Sequence, residues 1–158
     1  MVNLRSLLAF SVPFVGGNAT APAGSVSMAA SPSPITDVEC ITTKGNFIVQ
    51  VHHDWAPIGA PHFLNLVKDH FFTDIALYRA VPKFLVQFGI SADPTKKHWH
   101  NELLRDDPHK NELKYGLKKY QISYAGSGKN SRSTHVFIAY EDLPGLGKSD
   151  WEGASFDF

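Results

Sequence analysis

The stretch Ala76-Leu-Tyr-Arg-Ala-Val-Pro-Lys-Phe-Leu-Val-Gln-Phe-Gly-Ile90 constrains this chain more than any other. It predicts two short strands, over residues 77–81 and 84–88, joined by a tight turn at Pro82-Lys83. Proline suits the second position of such a turn because its φ is already close to the required value. Side chains alternate along a strand, so Leu77, Arg79 and Val81 share one face of the first. In the second, Phe84, Val86 and Phe88 share one face, and Leu85 and Gln87 the other. A cation, Arg79, and an amide, Gln87, thus sit in otherwise apolar strands, where a polar group is costly unless something polar meets it. The competing reading is a surface hairpin whose arginine is merely solvated.

The same residues carry a resemblance. Arg79-x-Val-Pro-x-Phe-Leu-x-Gln-x-Gly89 resembles the signature of the cyclophilins, the prolyl cis-trans isomerases, which usually reads Phe-His-Arg-x-x-x-x-Phe-Met-x-Gln-x-Gly. Arg79, Phe84 and Gln87 match that family's catalytic arginine, pocket phenylalanine and pocket glutamine. Leu85 stands where a methionine is usual, and Tyr78 where a histidine is usual.

A second motif follows in the right order. Ser123-Tyr-Ala-Gly-Ser-Gly-Lys-Asn-Ser-Arg-Ser-Thr-His-Val-Phe-Ile138 resembles the family's Ser-Met-Ala-Asn-Ala-Gly-x-Asn-x-x-x-Ser-Gln-Phe-Phe-Ile. Ala125, Gly128, Asn130, Phe137 and Ile138 match. Gly126 replaces an asparagine that binds peptide through its main chain, His135 a glutamine, and Val136 a phenylalanine. Read without the family, the Gly- and Ser-rich run at 126–133 invites a phosphate-binding role. The P-loop spacing is absent, however, and a strand follows where that motif needs a helix.

Around these motifs, residues 38–43 and 46–53 predict a hairpin turning at Lys44-Gly45. A helix is expected over residues 60–69, with Pro61 in its first turn and a core-facing stripe of Phe63, Leu66 and Val67. Residues 120–125 predict a further strand. Residues 91–119 are polar and poorly periodic and imply a surface excursion. His98 and His100 there lack a third metal ligand at a recognisable spacing. Asp106 and Asp107 are adjacent, so their side chains diverge, and a solvated loop is expected rather than an acid pair.

The chain has 158 residues and no net charge, which suits one domain and gives no electrostatic reason to bind nucleic acid or an anionic membrane. No apolar run is long enough to span a bilayer. The single cysteine, Cys40, cannot close a disulfide within the chain and reads as a small core residue. Residues 1–36 read as a targeting segment and disordered linker. One arginine precedes a mostly apolar run at 6–15, and Ala19-Thr20-Ala21 resembles a cleavage site, the layout of a secretory signal peptide. The Ala-, Ser- and Pro-rich continuation also fits a mitochondrial or plastid transit peptide, or a plain tail. Asn18-Ala-Thr20 is a glycosylation triplet within or beside that segment.

The resemblance, from residue 38 onward, implies a mostly β fold: an antiparallel β-barrel with a capping helix. It also implies an incomplete barrel. Leu143-Pro-Gly-Leu146 matches the segment beside the proline pocket, after which the family continues through a strand, a second helix and a final strand. A fragment, a mis-spliced product and a degenerate relative would each look like this. The implied activity is rotation about X–Pro bonds, assisting protein folding, without cofactor or metal. Arg79, Gln87 and His135 would be catalytic. Phe84, Leu85, Ala125, Gly126, Ser127, Phe137 and Leu146 would bind substrate. The implied partners are proline-containing peptides, unfolded proteins and cyclosporin-like ligands, met by a monomer. The other reading is a module that holds proline peptides with little or no turnover.

Overall fold

The computed structural model describes residues 2–7, 35–108 and 116–146. The Asn18 triplet, the Ala19–Ala21 site and the chain beyond Leu146 lie outside the described residues. The elements run β1 (Val2–Leu7), β2 (Ile35–Thr42), β3 (Gly45–His52), α1 (Gly59–Lys68), β4 (Arg79–Val81), β5 (Leu85–Phe88), a 3-10 helix (Pro94–Asn101), β6 (Ile122–Tyr124) and β7 (Val136–Ala139). The strands form two antiparallel sheets, ordered β1-β2-β3 and β4-β5-β7-β6.

The first hairpin differs slightly from expectation. Thr42 pairs with Gly45, which moves the turn to Thr43-Lys44. Thr42 Oγ1 donates to the Gly45 carbonyl at 2.6 Å and accepts from the Lys44 N–H at 3.0 Å, which closes the turn locally. Strand β2 begins at Ile35, ahead of the expected residue 38, because Ile35 is still in register with His52.

A larger difference lies ahead of it. Residues 1–36 were expected to stay off the domain, yet Val2–Leu7 pairs along β2 from Val2 opposite Thr42 to Leu7 opposite Asp37. The physical reason is the open edge of β2, whose unpaired N–H and C=O groups accept another strand. Helix α1 lies against β1.

Helix α1 has the expected stripe, with Phe63, Leu66 and Val67 buried. They pack with Val38, Cys40, Val49 and Val51 of the first sheet and with Phe71, Phe72 and Ile75 after the helix. No side chain beside the N-terminus caps it. Instead Asp107, remote in sequence, accepts from the Ile58 N–H at 2.6 Å and the Gly59 N–H at 2.9 Å. A carboxylate there satisfies orphan donors and suits the positive end of the helix dipole. Asp107 is therefore no solvated loop acid. Its side chain is 2% exposed and accepts from Nη1 of the fully buried Arg132 at 2.7 Å. Arg132 also donates to the Arg105 carbonyl and stands over the Tyr124 ring.

In the second sheet the register sorts side chains onto two faces. Phe88, Ile122, Tyr124, Val136 and Ile138 join the core beneath α1. Leu85 and Phe137 look the other way and form a separate apolar cluster. Hydrogen bonding among the described residues does not join the two sheets into a closed barrel. An apolar cavity of about 530 Å³ lies between them, lined by Phe47, Ile48 and Val49 on one side and Val86, Ile122 and Ile138 on the other.

Candidate functional site

The site is built on the β4–β5 hairpin. The Phe84 N–H donates to the Val81 carbonyl at 3.1 Å across Pro82-Lys83, and Lys83 takes a positive φ of 60°. The strands are therefore shorter than expected, with residues 77, 78 and 84 outside the ladder. The hairpin register puts Arg79 directly opposite Gln87, and Arg79 Nη1 donates to Gln87 Oε1 at 3.0 Å. The guanidinium is exposed, and Gln87 is half-buried. Gln87 is in turn opposite Phe137 of β7, so a cation, an amide and an aromatic ring lie in one row across three strands.

Beside this row is the apolar cluster. Leu85, Leu117 and Phe137 are buried at its floor, and Phe84, Ala125, Leu143 and Leu146 pack on them half-buried. The backbone holds the cup together. The Phe84 carbonyl accepts from the Tyr140 N–H at 2.9 Å, and the Leu117 N–H donates to the Leu146 carbonyl at 3.1 Å. The expected residues Phe84, Leu85, Ala125, Phe137 and Leu146 are thus brought together. Leu143 lies in the segment expected beside the pocket, whereas Leu117 escaped the sequence reading because it sits in a lysine-rich run with no apolar periodicity.

Gly126 is half-buried next to Ala125, whose N–H donates to the His135 carbonyl at 2.9 Å. Ser127 is exposed and its N–H is bound to Ser131 Oγ at 2.7 Å, apart from the cluster. The glycine-rich loop is tied down from the excursion. The Asn130 N–H donates to both Asp106 oxygens at 3.0 Å, and the Asp106 N–H returns a bond to Asn130 Oδ1 at 2.8 Å.

His135 stands at the junction of these parts. Its Nδ1 lies 2.8 Å from the Tyr78 hydroxyl, with the two rings edge-on at 88° and 5.9 Å apart. The His100 ring lies 5.3 Å away. Burial, and then the nearby His100, pushes the His135 pKa below its ordinary value. Burial raises that of Tyr78, opposed by Gln87 and Arg79. Gly89 makes this junction possible. It adopts φ +117°, and a Cβ there would come within 2.8 Å of His135 Cα. Only glycine allows β5 to leave the sheet so close to residues 134–135. The Thr134 hydroxyl then donates to the Gly89 carbonyl at 3.0 Å.

His98 and His100 do not form a ligand pair. His98 Nδ1 faces the Thr95 carbonyl at 3.0 Å and His100 Nδ1 faces Thr134 Oγ1 at 2.8 Å. Among the described residues no group of three or more His, Cys, Asp or Glu converges on a point. Cys40 is buried, and burial with the neighbouring Glu39 pushes its thiol up to about 12, far from a reactive thiolate.

An arrangement of this kind can hold an apolar ring in the cup and present guanidinium, amide and imidazole groups to a backbone beside it. A sequence model described as "Cyclophilin type peptidyl-prolyl cis-trans isomerase/CLD" matches residues 37–151. The chain is 32% identical over 108 residues to peptidyl-prolyl cis-trans isomerase-like 2 of Emericella nidulans, a match covering 66% of this chain but 18% of that protein. It is 29% identical over 114 residues to peptidyl-prolyl cis-trans isomerase-like 1 of Aspergillus fumigatus, covering 70% and 69% of the two chains. A crystal structure of a Cryptosporidium parvum cyclophilin type peptidyl-prolyl cis-trans isomerase superposes with a TM-score of 0.62 at 24% identity, over 78% of this chain and 76% of that one. The structure of that protein in the presence of the dipeptide Ala-Pro superposes with a TM-score of 0.58 at 23% identity, over 76% and 75%. These likenesses show a mostly β cyclophilin fold.

Proposed function

Because this chain belongs to the cyclophilin-type peptidyl-prolyl cis-trans isomerase family, we propose that it accelerates rotation about X–Pro peptide bonds and so assists the folding of proline-containing chains. The observation that carries this reading is the Arg79–Gln87 pair, 3.0 Å apart, set beside the cup floored by Leu85 and Phe137.

The uncatalysed rotation faces a barrier of ~18–20 kcal/mol because the C–N bond has partial double-bond character. No bond breaks, so the protein's task is to favour the twisted amide over the planar one. Twisting frees the lone pair of the prolyl nitrogen, which becomes a better acceptor. The proline ring, seated against Phe84, Leu85, Phe137 and Leu146, would hold that nitrogen near Arg79. The guanidinium stays charged and offers a planar fork of donors, one of which Gln87 already engages. A bound peptide displaces water from the row, which strengthens that interaction in the twisted state. The dipeptide Ala-Pro, the ligand used with the related parasite protein, is the simplest occupant.

Arg79→Ala is the direct test. Losing one donor aimed at developing charge costs about 10²–10³-fold in rate. The variant should lose that much kcat/KM on an X–Pro peptide while its melting temperature holds, since Arg79 is exposed. Equal rates for a folded variant and the unmodified protein would overturn the assignment.

A second reading, peptide holding without turnover, is favoured by the engagement of His135 with Tyr78 at a position where the family carries glutamine. Binding of Ala-Pro without any acceleration of isomerisation by the unmodified protein would establish it instead.

A further inference from the structure

We propose that His100 is a positioning residue for the candidate site. Its Nδ1–H, acting through Thr134, holds residues 134–135 against the end of β5, and its ring admits only one positive charge between itself and the neighbouring His135. The assignment rests on the isomerase reading only for its effect on turnover.

The direction of the bond follows from one hydroxyl. Thr134 Oγ1 lies 3.0 Å from the Gly89 carbonyl and 2.8 Å from His100 Nδ1. A carbonyl brings no proton and a threonine hydroxyl brings one, so that proton goes to Gly89. Both contacts are then hydrogen bonds only if His100 Nδ1 is the donor. A neutral His100 therefore carries its proton on Nδ1. A second proton adds at Nε2 and leaves the bond to Thr134 intact. The clamp thus survives titration of His100, while the charge beside His135 changes.

The clamp reaches the site through the next residue in the chain. Thr134 is fully buried, and the His135 carbonyl after it accepts from the Ala125 N–H at 2.9 Å, continuing the β6–β7 ladder. Two residues further on, Phe137 floors the cup. His100 itself belongs to the 3-10 helix Pro94–Asn101, in the excursion whose sequence carries no periodic pattern. Its ring stands edge-on to buried Phe71, at 77° and 5.9 Å. One imidazole thus joins the core under α1, the bend at Gly89 and the strand that carries His135.

On its other side the His100 ring lies 5.3 Å from the His135 ring, tilted by 33°. Like charges that close oppose one another, so a proton on one ring disfavours a second proton on the other. The groups that face His135 are His100 and the Tyr78 hydroxyl, 2.8 Å from Nδ1. Burial keeps Tyr78 a neutral phenol, with the cation Arg79 acting on it from the hairpin, so neither neighbour supplies a negative charge to offset a second proton. Burial of His135 acts in the same direction as His100. A neutral His135 leaves the charge that faces a bound peptide to Arg79.

Imidazole nitrogen NMR on the full chain, without substrate, tests both halves. Above the histidine titration range, His100 is expected to carry its proton on Nδ1, and a proton on Nε2 instead would overturn the clamp. Followed as pH falls, the His135 midpoint should lie higher in His100→Asn and His100→Phe than in the unmodified protein. The same midpoint in all three would refute the coupling of charge. The two variants also separate positioning from packing, because Asn offers an amide N–H where Nδ1 stood and Phe keeps a ring without a donor. His100→Phe should lose about two- to tenfold in kcat/KM on an X–Pro peptide, the usual range for one neutral hydrogen bond, and His100→Asn should retain most of the rate. In a Thr134→Val background His100→Phe should cost nothing further. Equal losses for the two variants, or an undiminished loss beside Thr134→Val, would show a packing role and refute the assignment. Absence of turnover in the unmodified protein would refute the isomerase reading, while the spectra would still decide the role of His100.

Discussion

At the scale of single residues, burial favours the neutral form of two histidines. His62 is 8% exposed, and burial pushes its pKa down, opposed by the Ser133 carbonyl that its Nε2 faces at 3.0 Å. His135 is shifted the same way by burial and by His100. For a histidine with a lowered folded pKa, the unfolded chain takes up the proton first as pH falls. Stability is then fully present above the ordinary histidine pKa and is lost as pH drops through that value toward the folded one. The urea midpoint is therefore expected to fall between pH 7.5 and pH 5.5, and to fall less in His62→Gln. Asp69, Asp93 and Asp142 are shifted down by hydrogen bonds to lysine or threonine groups, so their loss belongs to a separate, more acidic window. A midpoint independent of pH across the histidine range would contradict this account.

At the scale of elements, the start of α1 depends on a residue far along the chain. Asp107 caps Ile58 and Gly59 and pairs with buried Arg132. Asp107→Ala would leave two helix N–H groups without their acceptor and the Arg132 guanidinium without the carboxylate it pairs with. Removing one partner of a buried ion pair costs about 3–5 kcal/mol, a large share of the ~5–15 kcal/mol margin of a domain. The variant should show a correspondingly lower urea midpoint. Adding Arg132→Met should recover part of the loss, because no unpaired charge is then left inside. A single variant as stable as its parent would show that the pair and cap contribute nothing net.

At the scale of the whole molecule, β1 is the element with the most to test. It contributes six residues to the edge of β2 and to the surface on which α1 rests. Deleting residues 1–34 should uncover the β2 edge, speed amide exchange in β2 and lower the melting temperature. A loss of 2 kcal/mol corresponds to a drop of roughly 4–16 °C for domains of 60–250 residues. An unchanged melting temperature and unchanged β2 protection would show that the strand adds nothing to the fold. The same deletion leaves Arg79 and the cup residues in place, so turnover measured well below the melting temperature should persist.

What the sequence determined by itself was local. Alternation and a Pro-Lys turn placed Arg79 and Gln87 on one hairpin, and a three-four spacing placed Phe63, Leu66 and Val67 on one face of a helix. Two spaced motifs were enough to resemble one family and to pick out Phe84, Leu85, Phe137 and Leu146 as one cup. What only the tertiary structure decided were the partners of polar groups. Asp107 with Arg132, Asp106 with Asn130, Tyr78 with His135 and Thr134 with His100 are each separated by more than twenty residues. Periodicity reports which face a side chain takes, because burial is an average over neighbours. A hydrogen bond depends on which single atom arrives at about 3 Å, and that is set only when distant segments pack. The pairing of Val2–Leu7 with Ile35–Thr42 is of the same kind, since an open strand edge offers backbone groups that carry no side-chain pattern to read.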